Sequence, residues 1–389
     1  MAVVGGGAGG AAAALYLRKA AGLELDIELF ERSHQAGGRV QSIDFAGEHS
    51  ELGGAVYHLK NELFAGLVEE GKFQTFNPLH EHTNPSVRSP LPAEEPDLLG
   101  VWNGKLFVFQ QSASWVWSIV EGFYRYGMDP VYVSIEAKRV LEAFLQVYPL
   151  LEDPGSSFGT VEALLEELGL LELTRVSLLE HLTSLGICKY NGGAYCHEVV
   201  VGLTRVNYGQ SLELNALVGL IALVGSTDEV GSVVGGNSKV ISYAIWRANA
   251  LVHWNSPVTA IRQEESGYLL TVNGTEHGPF AKVIIACPLE FSNITMPVGM
   301  KPWAHNRPYQ LVHVALIVGQ LNLGGYFGQD SERLNQPQQI ITTESSEPGF
   351  TSIFLHSSYD EKSRPRNLYK VFSRLPFEEE KLDQIFLSE

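Results

Sequence analysis

Residues 1–20 read MAVVGGGAGGAAAALYLRKA, and this stretch decides the fold. The apolar residues Ala2–Val4 predict a short buried strand, and Ala8–Ala20 predicts a helix whose small side chains allow close packing on a sheet. A second strand is predicted over Leu25–Phe30. The order strand, helix, strand predicts a β-α-β unit with two parallel strands and a right-handed crossover.

The turn between the first strand and the helix carries the pattern G-x-G-x-x-G at Gly5, Gly7 and Gly10. In this setting the first glycine permits the tight turn, the second lets the backbone approach a pyrophosphate, and the third lets helix and strand pack closely. The helix N-terminus then faces the phosphates. Glu31, with Arg32 beside it, closes the second strand, where a ribose hydroxyl needs an acceptor. The segment therefore predicts a dinucleotide site.

Further glycines favour FAD over NAD as the dinucleotide. A Gly-Gly-Arg tripeptide follows soon after the second strand; its Gly38 lets the chain fold over the pyrophosphate, and its Arg39 neutralises phosphate charge. Gly53 and Gly54 form another pair that could lie against a flat ring. Val258, at the start of a later predicted strand, could offer its backbone to an adenine, although the residues alone favour an ordinary half-buried strand position.

Composition predicts a folded protein and excludes other classes. The 389 residues are 45% hydrophobic and 18% charged, and the net charge of −17 argues against a nucleic-acid partner. The longest apolar stretch, Leu214–Gly225, is shorter than a membrane span of roughly 20 residues and predicts a buried helix. The three cysteines form no metal-binding pattern. A Cys188–Cys196 bridge is left open, and all three cysteines, Cys287 included, are otherwise expected to be small buried hydrophobes.

The middle of the chain predicts a loop followed by helices. Pro78–Asp97 is rich in Pro, Asn, Ser and Glu and predicts an exposed loop. Gly104–Tyr148 predicts a strand pair and then helices, and Val161–Leu185 predicts a further helical region. Strands and a final acidic helix are predicted for the C-terminal part.

Two sets of motifs carry a family resemblance. The order GxGxxG, acidic residue, GGR, second glycine pair and late GG-helix-strand segment is similar to the flavin amine-oxidase superfamily. Within it, GGAVYH over 53–58 and RVNYGQS over 205–211 resemble the prenylcysteine oxidases, also called prenylcysteine or farnesylcysteine lyases. YKVFS over 369–373 fits the same family, and the resemblance covers the whole chain.

The resemblance implies noncovalently bound FAD, oxygen as acceptor and an S-farnesyl or S-geranylgeranyl cysteine as substrate. The implied products are cysteine, an isoprenoid aldehyde and hydrogen peroxide. A lysosomal or other secretory-pathway location with glycosylation is also implied, and the sequons at Asn273 and Asn293 support it weakly. A peripheral membrane contact is left open, and no protein partner is inferred.

The expected fold class is α/β, or α+β overall. It combines a Rossmann-like FAD-binding domain over 1–75 and 226–290 with a mixed-sheet and helical substrate domain over 76–225 and 291–389.

Three residues are candidates for chemistry at the substrate. His58 follows the second glycine pair and could orient water near the ring or simply bind the backbone, and Asn207 and Tyr208 lie in the family-specific stretch. An apolar slot for a prenyl chain is expected from the 214–224 helix and from aromatic residues that would equally suit a core: Trp115, Trp117, Phe123, Tyr124 and Tyr126.

Departures from the family leave alternatives open. The chain begins without the family's signal sequence and stops at Glu389 without a final strand and helix that cover part of the flavin, so a shortened chain with weak FAD binding is expected. Its last apolar residues, Leu382, Ile385, Phe386 and Leu387, are expected to lack a covering surface. The alternatives are another flavin amine-oxidase-like oxidase, or an inactive member that binds no FAD.

Overall fold

The computed structural model describes residues 1–78, 98–112, 114–153, 155–225, 229–297, 299–300, 308–329, 337–344, 349–361 and 364–387. Nearly all of the loop predicted over Pro78–Asp97 lies outside these residues. The strands are β1 (Ala2–Val4), β2 (Glu28–Phe30), β3 (Ser42–Phe45), β4 (Glu48–Glu51), β5 (Tyr57–His58), β6 (Thr75–Phe76), β7 (Leu99–Trp102), β8 (Phe107–Gln110), β9 (Val230–Val233), β10 (Leu251–His253), β11 (Val258–Glu264), β12 (Gly267–Val272), β13 (Thr275–Phe280), β14 (Val283–Ile285), β15 (His313–Leu321), β16 (Gln339–Thr342), β17 (Ser352–Glu361), β18 (Arg364–Ser373) and β19 (Phe386–Leu387). The α-helices are α1 (Ala8–Ala21), α2 (Glu62–Glu70), α3 (Trp115–Tyr126), α4 (Asp129–Leu145), α5 (Val147–Glu152), α6 (Val161–Glu167), α7 (Leu178–Ser184), α8 (Val201–Tyr208), α9 (Ala216–Val224), α10 (Ser238–Arg247) and α11 (Glu379–Ile385).

The chain divides into two compact units, each assembled from separate segments. The first unit comprises Met1–Tyr57, Asn61–Phe76 and Gly231–Tyr309, and the second comprises His58–Lys60, Asn77–Val230 and Gln310–Glu389. The assignment of cofactor binding to one domain and substrate binding to the other, with the boundaries given above, stays a prediction.

The first unit contains a parallel sheet in the order β10-β2-β1-β14. Ala2 pairs with Glu28 on one side and with Val283 on the other, so the predicted β-α-β unit is confirmed. Helices α1 and α10 pack together over this sheet, where Ala14 and Ile241 are buried in one core with the strand residues. Strands β11 and β12 form a hairpin, and β13 continues it as an antiparallel sheet.

The second unit contains a seven-stranded mixed sheet in the order β19-β15-β18-β17-β16-β7-β8. Neighbouring strands run antiparallel except β7 and β16, which are parallel with Val101 opposite Ile341. Buried side chains on one face of the sheet pack against the C-terminal segment. Ile385 and Phe386 of that segment are almost fully buried. The expectation that the last apolar residues lack a covering surface is therefore wrong for these two, because β19 adds to the sheet edge and α11 packs beside it.

Helices α4, α7 and α9 form a second core in the same unit. The region predicted as helical over Val161–Leu185 is divided into α6, a 3₁₀ turn at Leu171–Thr174 and α7, which begins with a capping box at Ser177. Glu136 of α4 accepts hydrogen bonds from Arg139 and lies 2.8 Å from His181 Nε2. The buried helix predicted near Leu214–Gly225 is confirmed as α9, whose side chains belong to this core rather than to an open slot.

A disulfide joins Cys188 to Cys196, with the two Cα atoms 5.6 Å apart. The bridge that the sequence left open is thus present, because the intervening turn brings the two thiols together. Cys287 is a free, half-buried thiol whose pKa is raised by burial. No helix within the described ranges combines the length and apolarity needed to cross a membrane.

Candidate dinucleotide site

The start of α1 presents backbone N–H groups without a side-chain partner. Gly7 is the N-cap residue, it has no capping side chain, and the first turn holds no acidic residue. The first N–H groups of a helix have no intrahelical acceptor, and together with the helix dipole they attract anions. The turn is fixed from below, because the Gly5 N–H donates to the Phe30 carbonyl at 2.8 Å.

The glycines of this turn are required for different reasons. A Cβ on Gly10 would lie 1.8 Å from the Gly5 carbonyl oxygen, so helix packing itself excludes a side chain there. A Cβ on Gly7 would meet only Gly37 O at 3.7 Å and Gly38 Cα at 3.8 Å, which are ordinary contacts. Since φ at Gly7 is −79°, any residue could adopt its backbone. The protein alone does not require glycine at this position, so the backbone of Gly7 is left open to approach from outside.

The Gly37–Gly38 pair lies directly against the Gly5–Gly10 turn. The Gly37 N–H donates to the Gly6 carbonyl at 3.0 Å, and Gly37 also forms an isolated parallel bridge with Gly7. A Cβ on Gly38 would come within 3.3 Å of Gly7 Cα. Arg39 follows with an exposed side chain, as does Arg32 after β2.

Glu31 ties the glycine turn to the end of β2. Its buried carboxylate accepts the Gly6 N–H at 2.6 Å through Oε2, and the Ser33 N–H at 2.8 Å and hydroxyl at 2.7 Å through Oε1. A carboxylate offers about four lone-pair sites, so these three bonds leave room for a ribose hydroxyl. The Ser256 N–H donates to the Glu31 carbonyl at 2.8 Å, which brings the strand of Val258 beside this residue.

Gly53 and Gly54 are held beside Arg39. The Gly54 N–H donates to the Arg39 carbonyl at 3.1 Å, and a Cβ on Gly53 would lie 1.8 Å from the same oxygen. Packing against Arg39 therefore already excludes a side chain at position 53.

Asn237 fixes this loop, and sequence reasoning missed it. The residue is 2% exposed; its Nδ2 donates to the Gly54 carbonyl at 2.9 Å, its Oδ1 accepts the Val233 N–H, and its backbone N–H donates to Glu51 Oε1. The available signal was an Asn directly before a predicted helix and after a glycine pair, a common capping position.

His58 lies at the end of β5 with its imidazole largely buried. Its Nδ1 accepts the Lys60 N–H at 3.1 Å, so the proton is assigned to Nε2. Within the described residues Nε2 has no hydrogen-bond partner, and Glu229 Oε2 stands 3.8 Å away. Burial lowers the pKa of His58. The neutral ring is therefore a hydrogen-bond donor at Nε2, and a buried donor without a partner is typical of a functional position.

Asn207 and Tyr208 end α8 and differ in their surroundings. Asn207 Nδ2 donates to the Ala222 carbonyl of α9 at 2.8 Å, a bond that ties the two helices and favours a structural role. Tyr208, the last residue of α8, is 40% exposed.

The aromatic residues expected to line a slot are placed differently. Tyr126 is buried and packs against Phe109 and Tyr195. The expectation of enclosure is wrong for the other four, which are exposed on α3: Trp115, Trp117, Phe123 and Tyr124.

The parallel sheet, the uncapped helix start and the acidic strand end define a protein with a Rossmann-like dinucleotide-binding fold. Residues 3–70 match the family model of the NAD(P)-binding Rossmann-like domain. Residues 109–389 match the prenylcysteine lyase family model, and the chain belongs to the prenylcysteine lyase family.

Relatives and solved structures agree with this placement. Farnesylcysteine lyase of Arabidopsis thaliana is 30% identical over 401 residues, which cover 99% of this chain and 75% of that protein. Prenylcysteine oxidase 1 of Mus musculus is 28% identical over 412 residues, covering 100% of this chain and 77% of that protein. A putrescine oxidase structure aligns with a TM-score of 0.59 at 17% identity over 98% of this chain and 76% of that chain, which shows a shared fold.

Proposed function

We propose that this chain is an FAD-dependent oxidase that cleaves the thioether of an S-prenyl cysteine. The observation that carries the proposal is the prenylcysteine lyase match over residues 109–389, beside a glycine turn whose Gly7 is left open to a ligand. The balanced reaction converts thioether, oxygen and water to cysteine, an isoprenoid aldehyde and hydrogen peroxide. When bound, FAD supplies the two-electron oxidation of the carbon attached to sulfur.

The first unit offers a group of donors and acceptors that suits FAD. The backbone at Gly7 and the start of α1 face the pyrophosphate, and the exposed arginines neutralise its charge. The Glu31 carboxylate accepts a ribose hydroxyl, and the Val258 backbone meets the adenine. The residues assigned to the cofactor in this proposal are Gly5, Gly7, Gly10, Glu31, Arg32, Gly38, Arg39, Gly53, Gly54 and Val258.

His58 acts in this proposal as a positioning donor for water. Its Nδ1 is occupied by the Lys60 N–H and its pKa is lowered, so the ring stays neutral and offers the Nε2 proton. A water held by this proton would keep its lone pair available for attack on the oxidised carbon. Tyr208, half exposed at the end of α8, is assigned to substrate contact.

Peroxide release tests the proposal. The purified chain, reconstituted with FAD, is incubated with farnesylcysteine, geranylgeranylcysteine or putrescine, and peroxide and aldehyde are measured together. We expect equal amounts of peroxide and aldehyde from a prenylcysteine and none from putrescine. A flavin-loaded chain that oxidises only the amine, or neither prenylcysteine, would refute the substrate assignment.

A second measurement separates the role of His58 from folding. His58→Gln keeps a side-chain donor, whereas His58→Leu removes it at similar volume. We expect His58→Leu to lower kcat by about tenfold or more while His58→Gln retains part of the activity. Equal loss in both variants, with unchanged KM, would instead show a requirement for the imidazole itself.

We also propose a lysosomal or other secretory-pathway location. Asn273 and Asn293 are both exposed, Asn273 in the turn between β12 and β13, so each sequon is accessible to glycosylation. A mobility shift after glycosidase treatment of protein expressed through the secretory pathway tests this, and an unshifted band for both sites removes the support.

A further inference from the structure

Helix α3 is the most apolar exposed element of the described chain. Trp115, Trp117, Phe123 and Tyr124 are 73%, 60%, 60% and 84% exposed, and Ile119 is 60% exposed. Single exposed apolar residues are ordinary, but a contiguous set of this size marks an interaction surface.

A helix that packs on a protein core usually turns its apolar side toward that core, whereas α3 exposes most of its apolar side. At 100° per residue, the exposed apolar positions 115, 116, 117, 119, 120, 123 and 124 span an arc of about 200°. The remaining arc holds Ser118, Glu121, Gly122 and Arg125, and Glu121 is exposed. Two of the polar residues face the protein: Ser118 Oγ donates to the Ser112 carbonyl at 2.9 Å, and Arg125 binds Glu198. Ser118 and Arg125 are thus turned inward and the seven apolar residues outward, while Tyr126, which also falls within the apolar arc, is buried at the end of the helix.

The helix is fixed in this orientation by its C-terminal end. Arg125 donates twice to Glu198, from Nε at 2.7 Å and from Nη2 at 2.6 Å, and the Tyr126 hydroxyl donates to the same carboxylate at 3.0 Å. Tyr190 adds a hydrogen bond to the Tyr124 carbonyl at 3.2 Å. A bidentate arginine pair restricts orientation as well as distance, so the apolar arc is held at the surface.

The width of the apolar arc on α3 and the charge of the chain indicate what kind of surface the helix contacts. A groove in a partner protein covers the roughly 100° stripe of an amphipathic helix, whereas a lipid interface can cover an arc twice as wide. Trp and Tyr prefer the boundary between headgroups and acyl chains. The arc carries no charged side chain, and a chain of net charge −17 is repelled by an anionic surface.

We propose that α3 docks the protein onto a zwitterionic phospholipid surface, lying in the interface with its apolar arc among the lipids. The helix inserts from one side without spanning the bilayer. This proposal is independent of the oxidase activity, although an S-prenyl substrate with a long hydrocarbon chain would partition into the same phase.

Vesicle co-sedimentation tests the proposal. Full-length chain is mixed with phosphatidylcholine vesicles at low and high NaCl, and a Trp115→Ser/Trp117→Ser/Phe123→Ser variant is compared with the control Trp246→Ser. Trp246 is 72% exposed on α10, which matches Trp115 in residue type and exposure. We expect the triple variant to lose about tenfold or more of its partitioning, the control to match wild type, and salt to have little effect.

Three outcomes would overturn the proposal. Wild type that stays in the supernatant removes lipid as the occupant, and a triple variant that sediments like wild type removes α3 as the contact. Sedimentation velocity without lipid gives the third: a wild-type dimer that becomes a monomer in the triple variant, with no vesicle binding, assigns the arc to a second copy. Unchanged far-UV circular dichroism confirms that the variants fold.

Discussion

Substitutions at Gly7 and Gly10 of the first turn allow the effect on ligand binding to be measured separately from the effect on folding stability. In Gly7→Ala the new methyl group makes only ordinary contacts at 3.7 and 3.8 Å with the protein, and the backbone angles suit alanine. Its free energy of unfolding should therefore stay equal or rise by about 0.4–1 kcal/mol, because the unfolded chain loses freedom.

If FAD binds as proposed, the same methyl group occupies the face of Gly7 that the pyrophosphate approaches. Losing one N–H hydrogen bond to a charged phosphate weakens binding by about 2 kcal/mol, or roughly thirtyfold in Kd. Gly10→Ala behaves oppositely. Its Cβ would lie 1.8 Å from the Gly5 carbonyl oxygen, and because backbone must move, we expect a loss of at least about 3 kcal/mol of stability.

Urea unfolding of the flavin-free chains gives the stabilities, and titration with FAD, followed by flavin fluorescence, gives Kd. The expected pattern is a stable Gly7→Ala that binds weakly and an unstable Gly10→Ala. Wild-type FAD affinity in a folded Gly7→Ala would show that the dinucleotide does not approach this turn, and an unfolded Gly7→Ala would refute the packing argument.

Three further perturbations follow from the described contacts. Glu31→Ala removes the acceptor of the Gly6 N–H and should weaken FAD binding by about 1–3 kcal/mol, measured by calorimetry; an unchanged Kd places the ribose acceptor elsewhere. Replacing Cys188 and Cys196 by Ser should lower stability by about 2.5 kcal/mol and abolish its dependence on reductant in urea melts; a reductant effect that persists would contradict the bridge. The hydrogen bond from Arg139 lowers the pKa of Glu136, so its contribution is present above pH 4.5 and is lost as the pH falls through the lowered pKa. Glu136→Gln should therefore be less stable than wild type by about 2 kcal/mol at pH 7, with the difference vanishing in acid; a pH-independent difference would assign the effect to packing.

The dinucleotide turn could be predicted because its requirements are local. Glycine is required at positions 5 and 10 by steric limits that residues nearby in the sequence impose. The spacing from this turn to Glu31 is set by the length of one helix and one strand. The role of Asn237 could not be predicted from the sequence. One of its partners, Val233, is close in sequence, but the other, Gly54, is distant, and the two come together only when the whole unit folds.

The second unit was predictable in its elements and not in their arrangement. A strand near 339–342 was expected, but β7 begins before the strand pair predicted from Gly104 onward. The parallel pairing of β7 with β16 joins residues about 240 positions apart, and no periodicity encodes such a partner. The exposure of the aromatic residues on α3 could not be predicted for a different reason. Aromatic residues usually predict burial, and the sequence does not show that Ser118 and Arg125 are turned inward.

The parallel pairing of Ala2 with Val283 has a consequence for biosynthesis. At about 5–20 residues per second, a ribosome needs roughly 15 to 60 s to make the intervening residues. During that interval β1 leaves the exit tunnel before β14 has been made, so the glycine turn lacks the neighbouring strand on one side. Newly made chains must therefore wait for their own second half, a period in which a chaperone that shields short apolar strands would raise the yield of folded protein.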